Sequence, residues 1–285
     1  MIAALIAIVA GVFAPLAASS ETQLKTAASR VVLAAVTDAQ DRPLIDLGPD
    51  DFAIAENGSD REIVSVYVAD YPVVVLLDEG ATATSDGQAI RSAVVRFISR
   101  LGPRAVAIST LANPPAIVAA FEDDRAAALA RLEHASVNPT AMLAPIEAVS
   151  NAARLIGETG APFSAIVIVS ARPIDTSQPA APGLSQTIFG SGAFVSAIVR
   201  RAPETALGGR PDRDLLRDLS DQTHGQYISV FSPASYSVAL DRLADRLATE
   251  MMVQYLIPAG EPSTADVRVG VKTPGTRVRG LGVSK

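Results

Sequence analysis

Histidine and cysteine, the residue types best suited to acid–base and nucleophilic chemistry near neutral pH, are scarce in this 285-residue chain. It has two histidines, His134 and His224, and no cysteine. The histidines lie far apart and lack the HxxxH-type spacing that lets two imidazoles on one helix face share a zinc ion. Without cysteine, disulfides, thiolate metal centres, iron–sulfur clusters and thiol nucleophiles are excluded by inventory. His134 falls near the end of a predicted helix, where the dipole favours a protonated imidazole. His224 precedes Gly225 at a helix-to-strand turn, a place where a polar residue needs no further role. Gly190-Ser191-Gly192 lacks the GxSxG spacing and precedes a predicted strand rather than a helix, so it does not form a nucleophile elbow. No GxGxxG or GxxxxGK[ST] pattern links a strand to a helix, so no dinucleotide or nucleoside-triphosphate site is indicated. The expectation is a protein that is not an enzyme and carries no catalytic residue and no cofactor.

Composition narrows the partners. A net charge of -6 provides no field to attract nucleic acid, and 5% aromatic residues with no Trp leave few stacking platforms for single strands or sugar rings. Hydrophobic residues make up 49% and charged residues 19%, which places the chain among packed, ordered proteins. A protein partner is expected, of unknown identity, and no nucleic acid. Met1 to Ala18 form an apolar run with no Lys or Arg before it. Residues 1–20 are read as an export signal or a retained N-terminal anchor, with a buried core helix as the third reading. The expected location is secreted or periplasmic, with membrane contact only through that segment.

The elements that must position any site follow from periodicity. Residues 29–71 read as a small β annex: three strand-like runs, the second ending in Asn57-Gly58, a dipeptide suited to a type I′ hairpin. From residue 72 strands alternate with helices, the pattern of a parallel sheet covered on both faces. VVVLL at Val73–Leu77 suits a central strand. A helix is predicted from Asp86 to Leu101, with Ile90, Val94, Val95, Phe97 and Ile98 on one stripe. Two strands follow at Ala105–Leu111 and Ala116–Phe121, then a helix capped by Asp123 or Asp124 and ending near Ala135. A helix near Pro145–Ile156 leads to a strand at Ser164–Val169. Thr176–Gly192 reads as a loop, Ala193–Val199 as a strand, Asp212–Gln222 as a helix and Gln226–Val230 as a strand. The helix predicted for Ala234–Thr249 turns Val238, Leu240, Leu243, Leu247 and Ala248 inward. Met251–Ile257 and Val267–Val271 close the chain, separated by a loop short enough for an antiparallel pair.

This order, with the phrases LGPDDFAIAENG, LSDQTHGQYISV and VQYLIPAG, resembles bacterial von Willebrand factor A-related domains over most of the chain after residue 20. The resemblance implies a doubly wound α/β fold with a mostly parallel central sheet at residues 72–260. The β annex at 29–71 precedes it and an antiparallel strand extension at 261–285 follows. It also implies a metal-ion-dependent adhesion site, where magnesium or manganese is held by oxygen ligands at the carboxyl ends of the strands. The family's motif is Asp-x-Ser-x-Ser, a loop Thr and a later Asp. Asp78 matches the first Asp, Gly80 replaces the first Ser, Thr82 can replace the second, and Thr140 matches the loop Thr. In VIVSAR, Ser170 and Ala171 stand where Thr-Asp is usual, so a carboxylate is missing; Glu79 and Asp175 are nearby substitutes.

The metal set is thus a degenerate one, Asp78, Thr82 and Thr140, and metal-independent binding is the leading expectation. Asp78 could equally end its strand, and Thr140 could be a helix N-cap. The loops 78–86, 138–142 and 170–192 are expected to form the ligand edge of an exported interaction or adhesion-like module. Alternatives are a magnesium- or manganese-dependent adhesion domain, an envelope scaffold and an unrecognised exported enzyme.

Overall fold

A computed structural model describes residues 28–78, 84–112, 114–134, 142–172, 174, 183–201, 214–258 and 266–284. The segment 1–20 read as a signal or anchor lies outside them. No helix among the described residues is long and apolar enough to cross a membrane.

In chain order the strands are β1 (Ala28–Thr37), β2 (Phe52–Glu56), β3 (Ser59–Arg61), β4 (Ile63–Val68), β5 (Val73–Leu77), β6 (Val106–Thr110), β7 (Ile117–Ala119), β8 (Ser164–Ser170), β9 (Ala193–Arg200), β10 (Tyr227–Val230), β11 (Glu250–Ile257), β12 (Val267–Val271) and β13 (Arg277–Val283). The helices are α1 (Thr84–Arg100), α2 (Arg125–His134), α3 (Pro145–Gly157), α4 (Leu184–Gly190), α5 (Leu215–Gln222) and α6 (Pro233–Ala248).

The six-stranded central sheet runs β10-β9-β8-β5-β6-β7. All its pairings are parallel except β6 with β7. An uninterrupted apolar strand such as β5 suits this place because each face meets helices. Val73, Val75 and Leu77 join the core formed with α1, α2 and α6, while Val74 and Leu76 join the core formed with α3, α4 and α5. Full burial of each such side chain contributes about 1.5–3 kcal/mol relative to exposure. The fold is the doubly wound, mostly parallel arrangement that the sequence predicts. Asp124 accepts from Ala127 N–H at 2.9 Å and so caps α2 as expected.

The remaining strands form two antiparallel sheets, β13-β1-β11-β4 and β12-β2-β3. Asn57 and Gly58 join β2 to β3 with φ of 53° and 77°, the left-handed pair required by a type I′ turn. Val32, Ala34, Val36, Met251, Val253 and Tyr255 pack with Phe52 and Ile54 between these sheets. Leu33, Met252 and Leu281 join the core shared with α1 and α6. Strands from the predicted annex and from the chain's end are therefore interleaved. β11, placed by sequence inside 72–260, lies between β1 and β4.

Several local expectations are corrected. β11 and β12 do not form an antiparallel pair: both edges of β11 are taken by β1 and β4, and β12 pairs with β2 instead. The predicted loop 176–192 contains α4, whose Leu184 and Ile188, one turn apart, are buried in the core with α3. Val238 is exposed, because the inward stripe of α6 runs through Tyr236, Ala239, Leu240, Leu243, Ala244 and Leu247. β13 falls within the antiparallel extension expected at 261–285 but is not marked there as a separate strand, because its two glycines, Gly280 and Gly282, break the apolar alternation.

Candidate functional site

Connections from β5 lead to β6 on one side, whereas β8, β9 and β10 build out on the other. The carboxyl ends of β5 and β8 thus lie at the switch point of strand order, where a crevice opens in open α/β sheets. Asp78 directly follows β5 and Arg172 follows β8. Asp78 N–H donates to Val169 O at 2.9 Å, and Leu111 N–H donates to Leu77 O at 2.9 Å, tying the ends of β8, β5 and β6 together. Ala144 N–H reaches Leu111 O at 2.8 Å, bringing the start of α3 to the same edge.

The Asp78 carboxylate is held by arginine. Arg172 Nη2 lies 2.8 Å from Oδ1 and Arg172 Nε 3.1 Å from Oδ2, a two-pronged ion pair. Arg172 backbone N–H also donates to Oδ2 at 3.2 Å. The Ser170 hydroxyl lies 3.1 Å from Asp78 Oδ2 and 2.7 Å from Arg172 O, and its single hydrogen serves one of them at a time. From α6, the Tyr236 hydroxyl donates to Ser170 O and fixes the β8 terminus. The Asp78 side chain is 0% exposed and that of Arg172 22%, so the guanidinium forms a partly exposed cover over a buried carboxylate.

Of the expected ligand set, Asp78 is at the predicted edge, while Thr82 and Thr140 lie outside the described residues, as do Glu79 and Asp175. Among the described residues no three His, Asp or Glu side chains cluster as metal ligands. Among the described residues, the group that faces Asp78 is a guanidinium, which does not fit a dication. A fixed unit charge repels a dication at 4 Å by about 8 kcal/mol at an effective dielectric of 20. Magnesium would also need oxygen donors in near-octahedral order where the guanidinium now sits. Arg172 is the residue at this edge whose pairing with Asp78 the sequence reading missed. Its signal was present: a cation two residues after the end of an apolar strand that lacks the usual carboxylate.

The histidines stand apart from this edge. His134 Nδ1 is 2.8 Å from Ala130 O at the end of α2. His224 takes φ of 59° after α5, with Gly225 N–H bonded to Ser220 O at 2.8 Å and His224 N–H to Asp221 O at 3.3 Å, a Schellman cap. Ser191 donates its hydroxyl to Ile188 O at 2.7 Å in the turn after α4.

Neither a protein-family model nor a curated protein sequence matches the chain. Solved structures do. A von Willebrand factor type A structure from Catenulispora acidiphila is similar over 92% of this chain and 74% of its own, with TM-score 0.50 and 11% identity. The fold is that of a von Willebrand factor type A domain. Proximal thread matrix protein 1 from the mussel byssus, with a zinc-occupied MIDAS motif, has TM-score 0.50 and 10% identity over 68% of this chain and 49% of its own. BatB from Bacteroides thetaiotaomicron aligns over 62% of this chain and 98% of its own, at 16% identity and TM-score 0.43. In this von Willebrand factor A-like chain, a basic side chain covers the acidic residue at the carboxyl edge of the sheet.

Proposed function

We propose that the protein is an exported, non-catalytic binding module that receives a protein partner on the carboxyl-edge loops of its central sheet without a metal ion. The Asp78–Arg172 ion pair carries this reading: the carboxylate is buried and its countercharge comes from the chain. The reading is also supported by the switch-point position of the pair and by the von Willebrand factor A-like fold. Export rests on the apolar run at Met1 to Ala18 and places the module in the secreted space or the cell envelope.

Titration calorimetry with magnesium and with manganese tests metal independence. The expected result is no saturable heat. Micromolar binding abolished by Asp78→Ala would establish instead a metal-dependent domain, with Thr82 and Thr140 completing the shell. Capture of a partner from the native envelope fraction should be lost when loops 78–86 and 170–192 are altered. Capture unchanged by those alterations would remove the binding surface from this edge.

A further inference from the structure

We infer that the outer edge of β4 is an acceptor for an extended apolar segment of a partner protein whose ends carry basic residues. β4 is the terminal strand of the β13-β1-β11-β4 sheet, and no described strand pairs with its far side. Ala69 N–H donates to Glu250 O at 2.8 Å, on the β11 side. Because antiparallel strands alternate their hydrogen-bonding direction residue by residue, Val66 and Val68 direct their N–H and C=O groups outward.

Side chains agree with the backbone. The strand IVSVYV has no charge, and Val64, Tyr67 and Val68 are 49%, 41% and 42% exposed. Natural sheets guard such edges with charged side chains, proline, a β-bulge or a cover; β4 has a register shift against β11 at Val64, and from Ser65 to Val68 its ladder is regular and its side chains carry no charge. The opposite edge of the same sheet, β13, adds to its own register shift the charges of Arg277 and Arg279. The two edges of one sheet therefore differ in charge, as expected if only one of them receives a strand.

Charge selects the occupant. Exposed Glu62 and Asp70 bracket β4. A second copy paired antiparallel about Val66 would set Glu62 against Asp70, and an in-register parallel copy would set each acid against itself; both full-length pairings are repulsive. A partner strand with Lys or Arg at both ends meets opposite charges instead. At about 3.4 Å per residue those ends are roughly eight residues apart.

The test uses the full chain and two fluorescent nine-residue peptides, each a Val-Thr alternation, one ending in Lys at both termini and one in Glu, read by anisotropy. The Lys-ended peptide should bind about ten-fold more tightly than the Glu-ended one, with the difference shrinking in high salt. Val68→Pro removes an outward N–H while leaving the β11 ladder intact, and should abolish binding with unchanged circular dichroism. Should that variant fail to fold, Glu62→Lys with Asp70→Lys, both at exposed positions, should reverse the peptide preference. Equal binding of the two peptides, absence of binding by the Lys-ended one, or wild-type affinity in Val68→Pro overturns the inference. So does a wild-type dimer in sedimentation that Val68→Pro dissociates, since the edge would then be taken by a second copy.

Discussion

At the scale of single residues, the Asp78–Arg172 pair makes a quantitative demand. Removing one member of a buried ion pair strands the other, which costs about 3–5 kcal/mol when both are fully buried. Because the Arg172 side chain is 22% exposed, Arg172→Met should lose about 2 kcal/mol in urea denaturation. Asp78→Asn combined with Arg172→Met should lose less than the sum of the single variants, because no lone charge remains. Strict additivity would show that the two side chains do not interact in solution. Asp78 was legible through the resemblance to the von Willebrand factor A motif, whose first Asp it matches, and the same resemblance made the missing carboxylate legible in Ser170-Ala171. The role of Arg172 was not, because its pairing spans 94 positions and depends on β5 and β8 being neighbours.

At the scale of elements, the turn from α5 to β10 shows why a histidine and a glycine adjoin. His224 occupies the left-handed position of the helix cap, which glycine adopts without strain. His224→Gly should therefore stabilise the protein by about 1 kcal/mol, measured as an increase in the urea midpoint. Gly225 has a different constraint. A Cβ there would lie 1.8 Å from Val195 O, a backbone atom of β9 that cannot swing aside. Gly225→Ala should cost more than about 3 kcal/mol or prevent folding, which soluble yield and melting will show. A melting temperature equal to wild type for Gly225→Ala would mean that α5 does not approach β9 so closely. The uninterrupted apolar run of β5 and the helical stripes of α1 and α6 were legible in the sequence because burial imposes them. α4 was not: its seven residues follow a Pro- and Gly-containing stretch, and only Leu184 and Ile188 mark its buried side.

At the scale of the whole molecule, sheet membership was the least legible feature, because a sequence shows which segments are strands but not which of their edges meet. The junction between the central sheet and the β11 sheet contains a buried carboxylate, and its titration can be used to probe that assembly. Glu250 begins β11, accepts a hydrogen bond from Tyr71 just before β5, and lies 3.6 Å from Arg246 of α6. Arg104, just before β6, stacks 4.3 Å above the Tyr71 ring. Burial pushes the Glu250 carboxyl up, and the Tyr71 hydrogen bond and the Arg246, Arg104 and Arg279 charges offset this only in part. The folded protein therefore holds a proton on Glu250 at a pH where the unfolded chain has released it. Stability from this residue is full below the ordinary glutamate value of 4.5 and is lost as pH rises through the raised folded value. Other carboxylates titrate in the same range, so the informative quantity is the difference between wild type and Glu250→Gln, which keeps an acceptor for Tyr71 but has no titrating carboxyl. That difference should move in favour of Gln as pH rises from about 4.5 towards neutrality, followed by urea denaturation at a series of pH values. A difference that stays constant across the series would mean that Glu250 titrates alike in both states, and hence that the two sheets do not enclose it in solution.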